Sequence, residues 1–196
     1  PDFETPWQIR RAGIQSLEKG QTFYTSNWGL AELRSQIAAL ARRKYQLCYD
    51  ADKEILVTVG GSEAIDACIR TLVNPGDEVL IPTPCWVSYP EIVRIVGGVP
   101  VLVQGDAKKG FVTEAEDLAP YVTERTKALI LNSPNNPNGC IWNREQLTDI
   151  AKLAVEKGFY VVSDEIYEKL IADCALTPER TLFIDDTLPN VEGAMK

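Results

Sequence analysis

The chain has 196 residues, of which 45% are apolar and 24% are charged, and this is enough to form the core of one domain. Its net charge of −8 argues against nucleic acid or an anionic membrane as the main partner. The sequence contains no histidine, which excludes Ser-His and Cys-His catalysis and metal sites built on histidine.

The five cysteines are scattered and form no C-x-x-C pair. This pattern is typical of reduced thiols and predicts a cytoplasmic protein. No apolar run approaches the roughly 20 residues of a membrane span, and no signal peptide is recognisable. The chain begins at Pro1 without a methionine and stops at Lys196 without a helix cap, so we expect a piece of a longer protein or an engineered chain.

Helical and strand-like segments alternate along the sequence. In chain order the pattern predicts a helix at 29–47, a strand at 55–59, a helix at 62–72, a strand at 78–81, a helix at 86–96, a strand at 99–103, a helix at 114–121, a strand at 127–131, a helix at 144–157 and a strand at 159–163. The alternation indicates a three-layer α/β/α fold with a mostly parallel sheet. The carboxyl ends of its strands would then share one edge, where open α/β sheets bind ligands.

The sequence Gly60-Gly61-Ser62-Glu63 lies between a predicted strand and a predicted helix. Two glycines permit a sharp turn, and the amides at a helix N-terminus bind anions such as phosphate. The alternative is an ordinary turn in which Ser62 caps the helix.

Two further candidates also follow predicted strands. Trp86 comes after the strand at 78–81, where a flat indole can stack on a ligand ring, although core packing is the usual role of a single tryptophan. Asn136 lies in the turn at 132–139, and its amide can donate to a phenolate oxygen. The alternative is that these Asn, Pro and Gly residues simply form a turn, which requires no ligand.

Asp164 and Tyr167 follow the last of these strands. A carboxylate at the end of an apolar strand is costly to bury unless it meets a cation or a strong donor. A protonated ring nitrogen of a ligand would be a suitable partner for the Asp164 carboxylate. The alternative is that Asp164 caps the next helix. Amide, carboxylate and phenol together suit an aromatic nitrogen heterocycle that carries an oxygen.

These motifs resemble the class I/II aminotransferases of the aspartate aminotransferase fold type, which use pyridoxal 5′-phosphate (PLP). The resemblance runs from residue 1 to about residue 170 and is carried by residues 1–6, 24–34, 60–64, 74–79, 132–139 and 163–167. It implies an incomplete PLP-transferase large domain. The implied activity is transfer of an amino group from an amino acid to a 2-oxo acid.

The resemblance also implies how the cofactor phosphate is held. Gly61, Ser62 and Glu63 match the turn that binds it in this family. Tyr24 resembles a tyrosine that reaches the phosphate of the neighbouring subunit, which implies a homodimer with shared sites.

For the cofactor ring, the resemblance implies four contacts. Trp86 matches the stacking aromatic residue, and Asn136 and Tyr167 match the residues that bind the ring oxygen. Asp164 matches the acid that pairs with the ring nitrogen and keeps it protonated, so that the ring accepts electrons during catalysis. Asp164 and Tyr167 are therefore also the catalytic candidates.

The family pattern is lost after about residue 170, and residues 176–194 resemble the last motif of haloacid dehalogenase-type phosphatases. In that motif paired aspartates, here Asp185 and Asp186, hold magnesium. We therefore expect an aminotransferase portion at 1–170 and a separate tail of one strand and one helix at 171–196. The alternatives are a hybrid with this magnesium-binding tail and a non-catalytic α/β scaffold. The D-x-D-x-T nucleophile motif of the phosphatases is not found.

The Schiff-base lysine of the family, which lies in a Ser-Lys motif, is not recognisable in the sequence. Lys196 lies 32 positions after Asp164, close to the family interval, but Met195 stands where the serine is expected. With Lys196 as the only candidate amine, we expect the chain to bind PLP weakly and to catalyse little or no transamination.

Overall fold

The computed structural model describes residues 4–165 and the backbone of residues 181–185. From residue 61 to residue 165 helices and strands alternate, as the sequence pattern predicted, whereas the described elements before residue 61 are helices only. In order the α-helices and strands are α1 (Trp7–Glu18), α2 (Ala31–Tyr45), α3 (Gly61–Leu72), β1 (Glu78–Thr83), α4 (Ser88–Ile95), β2 (Val99–Gln104), α5 (Ala115–Leu118), β3 (Thr126–Asn132), α6 (Arg144–Lys157), β4 (Tyr160–Glu165) and β5 (Thr181–Asp185).

The five strands form one sheet in the order β2-β1-β3-β4-β5, and all neighbouring strands are parallel. The chain runs from β1 to the edge strand β2 and then crosses back over β1 to β3. The strand order therefore changes direction between β1 and β3, which is where sheets of this kind open a crevice at their carboxyl edge. On this edge Asn132 of β3 lies opposite Asp164 of β4.

Helices cover both faces of the sheet. On one face α3 and α4 pack against Val79, Ile81, Ala128, Ile130 and Val162. On the other face α5, α6 and the buried Trp142 pack against Leu80, Val103, Leu129, Leu131 and Val161. Successive residues of β1 and β3 alternate between the two cores because strand side chains alternate between faces. The predicted three-layer α/β/α architecture with a parallel sheet is confirmed.

Helix α6 joins β3 to β4, the two strands that carry the polar ends. Its N-terminus carries a capping box: the Asn143 side chain accepts from the Gln146 amide at 3.0 Å, and the Gln146 side chain accepts from the Asn143 amide at 2.9 Å. Gly158 ends the helix at φ 79°, a left-handed conformation that glycine adopts without strain. These local signals explain why the predicted bounds of this helix were correct.

The predicted strand at 55–59 was wrong. The segment is not part of the sheet, and its Val57 amide donates to the carbonyl of Trp28 at 3.1 Å instead. The approach is close because Gly29 has no side chain: a Cβ there would lie 2.6 Å from the Val57 Cβ. This apolar run therefore pairs with the residues before α2 instead of joining the sheet.

Several helices also differ from the prediction. Helix α1 was not predicted, and none of its residues is buried. Helix α4 begins at Ser88 rather than at Trp86. The helix predicted at 114–121 is the single turn α5, followed by a 3-10 turn at Ala119–Tyr121.

The predicted domain boundary at residue 170 lies outside the described residues. Of the predicted tail, the structure describes the backbone of β5, which pairs with β4 in the same sheet.

Candidate cofactor site

A cavity of about 240 Å³ opens at the carboxyl edge of the sheet, beside the change in strand order. Eight of the described residues line it: Gly61, Ser62, Ile65, Trp86, Tyr89, Asn132, Asn136 and Asp164. Five of these were proposed from the sequence as cofactor ligands, and they come from the N-terminus of α3, from the segments that follow β1 and β3, and from β4 itself. The fold thus brings distant residues into one cleft: Gly61 and Asp164 are 103 positions apart in the sequence.

The N-terminus of α3 supplies the polar backbone of this cavity. Gly60 precedes the helix at φ 85° and ψ 165°, a region of backbone conformation that is essentially limited to glycine. The Glu63 side chain folds back to accept a hydrogen bond from the Val59 amide, and the Thr58 hydroxyl donates to the Gly60 carbonyl at 3.1 Å. Since first-turn amides have no partner within their helix, this end of α3 can bind an anion.

Replacing Gly60 with alanine is expected to lower the free energy of unfolding by about 1–3 kcal/mol through backbone strain. Space is not the reason, because a Cβ at this position would have no atom within 4 Å. Gly13 in α1 is a matched control with equally open surroundings and no positive φ. Urea unfolding should show Gly13→Ala to be neutral or stabilising by up to about 1 kcal/mol. Equal effects of the two substitutions would contradict the role given to Gly60.

The ends of β3 and β4 are joined by the side chain of Asn132. Its Nδ2 donates to the backbone carbonyl of Asp164 at 2.9 Å, and its Oδ1 accepts from the Asn136 amide at 2.6 Å. The Ser133 amide also donates to the Asp164 carbonyl, at 3.2 Å. Asn132 is only 3% exposed, so these bonds are sheltered from water. They fix the turn that carries Asn136 relative to the strand that carries Asp164.

Tyr89 connects Asp164 to Trp86. The Tyr89 hydroxyl donates a hydrogen bond to Oδ2 of Asp164. Its ring meets the Trp86 ring edge to face, with centroids 5.3 Å apart and planes at 82°. The Tyr89 side chain, in the first turn of α4, therefore contacts both the Asp164 carboxylate and the Trp86 ring.

No cysteine is among the described residues that line this cavity. Burial raises the pKa of the Cys85 thiol, which neighbours Trp86 in the sequence, and it raises the pKa of the Cys68 thiol as well. A thiol needs a lowered pKa to act as a nucleophile near neutral pH. Neither of these two cysteines is therefore set up as a thiolate nucleophile beside the cavity.

Two candidates from the sequence, Glu63 and Tyr24, are not among the described residues that line the cavity. The Glu63 side chain is engaged with the Val59 backbone, and Tyr24 is fully exposed. Tyr167 and Lys196 lie outside the described residues.

Of the two proposed magnesium ligands, Asp186 lies outside the described residues. For Asp185 the structure describes the backbone alone. Within the described range no group of three or more metal-ligating side chains occurs.

Three lining residues were not proposed from the sequence: Ile65, Tyr89 and Asn132. A signal existed for two of them. Tyr89 is three positions after Trp86, and in the helix predicted at 86–96 that spacing would place both residues on one side of a turn. Asn132 is the last residue of β3, where a polar side chain follows a buried apolar run.

The sequence model of the family described as aminotransferase class I and II matches residues 1–193. Relatives include the aspartate aminotransferase of Bacillus sp. (strain YM-2), which is 46% identical over 87% of this chain and 43% of its own length. The aspartate/prephenate aminotransferase of Thermus thermophilus is 43% identical over 94% of this chain and 49% of its own length. The chain therefore belongs to the class I and II aminotransferase family, and it spans about half the length of the curated relatives it matches.

Solved structures agree with this assignment. An aromatic aminotransferase from Pyrococcus horikoshii superposes with a TM-score of 0.88 at 37% identity, over 94% of this chain and 52% of that one. The aspartate aminotransferase from Thermus thermophilus with maleate has a TM-score of 0.85 at 36% identity, over 99% of this chain and 56% of that one.

The family match has a consequence for the last 26 residues. It continues through residue 193, across the segment interpreted from the sequence as dehalogenase-like. The comparisons give no support to that interpretation or to the magnesium site that depended on it. Among the described helices, none has the length and apolar character needed to span a membrane.

Proposed function

We propose that this chain supplies the PLP pocket of a transaminase that moves an amino group from an amino acid to a 2-oxo acid. The observation that carries the proposal is the cavity itself, since five residues with complementary chemistry line one cleft at the carboxyl edge of the sheet. The family membership of the chain supports it, and the names of the relatives make aspartate and aromatic amino acids the donors to test first.

The lining residues fit the parts of PLP. The N-terminus of α3 and the Ser62 hydroxyl would hold the phosphate, because both offer hydrogen-bond donors and the helix dipole favours negative charge. The Trp86 ring would cover one face of the pyridine. Asn136 would donate its amide to the ring oxygen, and Asp164 would accept from the protonated ring nitrogen. No Lys or Arg is among the eight lining residues, so backbone donors and Ser62 carry the anion in the described part of the site.

When bound, the cofactor supplies an electron sink for the bonds at the substrate α-carbon. The residues of this chain determine how well that sink works. Asp164 keeps a proton at the ring nitrogen, and Trp86 excludes water from one face of the ring. Asn136 stabilises negative charge at the ring oxygen, as does Tyr167 in the proposed site. Lys196, the candidate from the sequence, would supply the reacting amine.

Pyridoxamine 5′-phosphate (PMP) is the probe that tests this proposal, because its amine cannot condense with surface lysines as the PLP aldehyde does. Isothermal titration of the 196-residue chain should detect saturable binding of PMP. Pyridoxamine without the phosphate should bind at least about tenfold more weakly, since it loses the charge-assisted bonds at α3. Equal binding of the two compounds, or no binding of PMP, would refute the pocket assignment.

We further propose a cytoplasmic homodimer in which Tyr24 contributes to the site of the neighbouring subunit. The support is a set of apolar side chains near the N-terminus and α3 that water would otherwise surround. Phe23, Val59 and Leu17 are 87%, 92% and 68% exposed. Large apolar side chains exposed to this degree are covered when they lie in an interface between subunits. Sedimentation equilibrium with and without PMP would distinguish a dimer from a monomer.

A further inference from the structure

The structure points to a role for Tyr89, a residue to which the proposed function gives no task. Tyr89 lies in the first turn of α4 and is only 2% exposed. It lines the cavity, its hydroxyl donates to Asp164, and its ring contacts Trp86 edge to face. It is the one lining residue that joins the acid to the stacking ring through its own side chain, as far as the described contacts go.

The hydrogen bond acts on the orientation of the carboxylate. A carboxyl group rotates easily about its last torsion, and this torsion has broad preferences. A donor fixed on Oδ2 limits that rotation and sets the direction in which the remaining lone pairs point. An ionised carboxylate accepts about four hydrogen bonds, so the bond from Tyr89 leaves acceptor capacity for a ring nitrogen.

A purely structural explanation of Tyr89 must also be considered. A buried phenol needs a hydrogen-bond partner, and the nearest carboxylate meets that need without any cofactor. The structural explanation predicts that losing the hydroxyl affects all ligands alike, through packing or stability. A positioning role predicts that the loss affects only ligands with a ring nitrogen.

We propose that Tyr89 is a positioning residue that aims the Asp164 carboxylate at the ring nitrogen of the cofactor. This inference rests on the proposed PLP-binding function. It assigns Tyr89 no contact with the reacting atoms, because its effect passes through Asp164. The edge-to-face contact holds the Trp86 ring at the same time, so the nitrogen partner and the stacking face are set by one side chain.

Replacing Tyr89 with phenylalanine should keep the ring contact with Trp86 and remove only the hydroxyl. We expect PMP to bind Tyr89→Phe about tenfold more weakly than the unchanged chain, the effect of one charge-assisted hydrogen bond. The 1-deaza analogue of PMP, in which carbon replaces the ring nitrogen, should bind both chains equally within about twofold. Titration calorimetry with the two ligands provides the comparison.

Two further variants separate positioning from stability. Tyr160→Phe removes a partly exposed tyrosine hydroxyl on β4, outside the cavity, and should leave the affinity for PMP unchanged. In an Asp164→Asn background, adding Tyr89→Phe should weaken PMP binding by less than about twofold, because the carboxylate being aimed is already gone.

Each outcome distinguishes the inference from the function on which it rests. If the unchanged chain does not bind PMP, the proposed function fails and the role of Tyr89 fails with it. If the unchanged chain binds PMP and Tyr89→Phe binds it equally well, only the Tyr89 inference is overturned. An equal loss of affinity for PMP and for its 1-deaza analogue would also overturn it, since that result indicates a packing role.

Discussion

Replacing Asp164 with asparagine is expected to weaken the binding of PMP by roughly 30- to 150-fold, or about 2–3 kcal/mol, the cost of losing a hydrogen bond between charged partners. Asparagine has nearly the shape of aspartate, so the cavity should keep its form. What is lost is the negative charge that holds a proton on the ring nitrogen. Titration calorimetry of both chains at the same pH and salt concentration measures the effect.

The control for this substitution is Asp149→Asn on α6. Asp149 is half exposed and pairs with Lys152 at 2.8 Å, outside the cavity. Exposed pairs of this kind contribute about 0–1 kcal/mol to stability, and nothing connects this one to the ligand. If Asp164→Asn and Asp149→Asn bind PMP equally well, Asp164 does not hold the cofactor.

Replacing Trp142 with alanine is expected to lower the free energy of unfolding by about 3–5 kcal/mol, as for other large aromatic residues in protein cores. Trp142 is 2% exposed and lies in the core between the sheet and α6. Its indole nitrogen donates to the carbonyl of Thr113 at 2.8 Å. The substitution therefore leaves a cavity and a buried carbonyl without its donor. Urea unfolding followed by circular dichroism measures the loss.

Trp7 offers the matched control, because it is 57% exposed on α1. Trp7→Ala should change the free energy of unfolding by no more than about 0.5 kcal/mol, the usual limit for surface substitutions. Comparable losses for the two tryptophans would contradict the placement of Trp142 in the core. Trp142→Phe should fall between them, since it restores most of the volume without the hydrogen bond.

The sheet was predictable from the sequence because its central strands are buried on both faces. A strand such as residues 128–131 reads as a continuous apolar run, and that pattern is typical of parallel sheets. The polar residues that end the runs, Asn132 and Asp164, then had to share one edge. The sequence did not predict the strand order or the position of Asn132 opposite Asp164, because local patterns do not specify which strands are neighbours.

Local patterns failed where distant residues decided the outcome. The run at 55–59 has strand composition, but its Val57 pairs with Trp28 across a contact that only a glycine at position 29 permits. Tyr89 was overlooked for a similar reason. Its partner Asp164 is 75 positions away, and no spacing rule connects a tyrosine on a helix to an acid on a strand.

The last segment of the chain illustrates the limit of short motifs. A strand followed by two aspartates, Asp185 and Asp186, resembles a magnesium motif over residues 176–194. The aminotransferase family match extends through residue 193 and includes this segment. Pairs of acids after strands are common because polar groups at strand ends remain close to water, so a pattern of this length has little power to identify a family.

A crystal structure of the chain with PMP bound tests the central claim most directly. We expect the ring nitrogen within hydrogen-bonding distance of the Asp164 carboxylate, the phosphate at the N-terminus of α3 and the Trp86 ring stacked on the pyridine. A ligand bound elsewhere, or a ring turned so that its nitrogen faces away from Asp164, would contradict the claim.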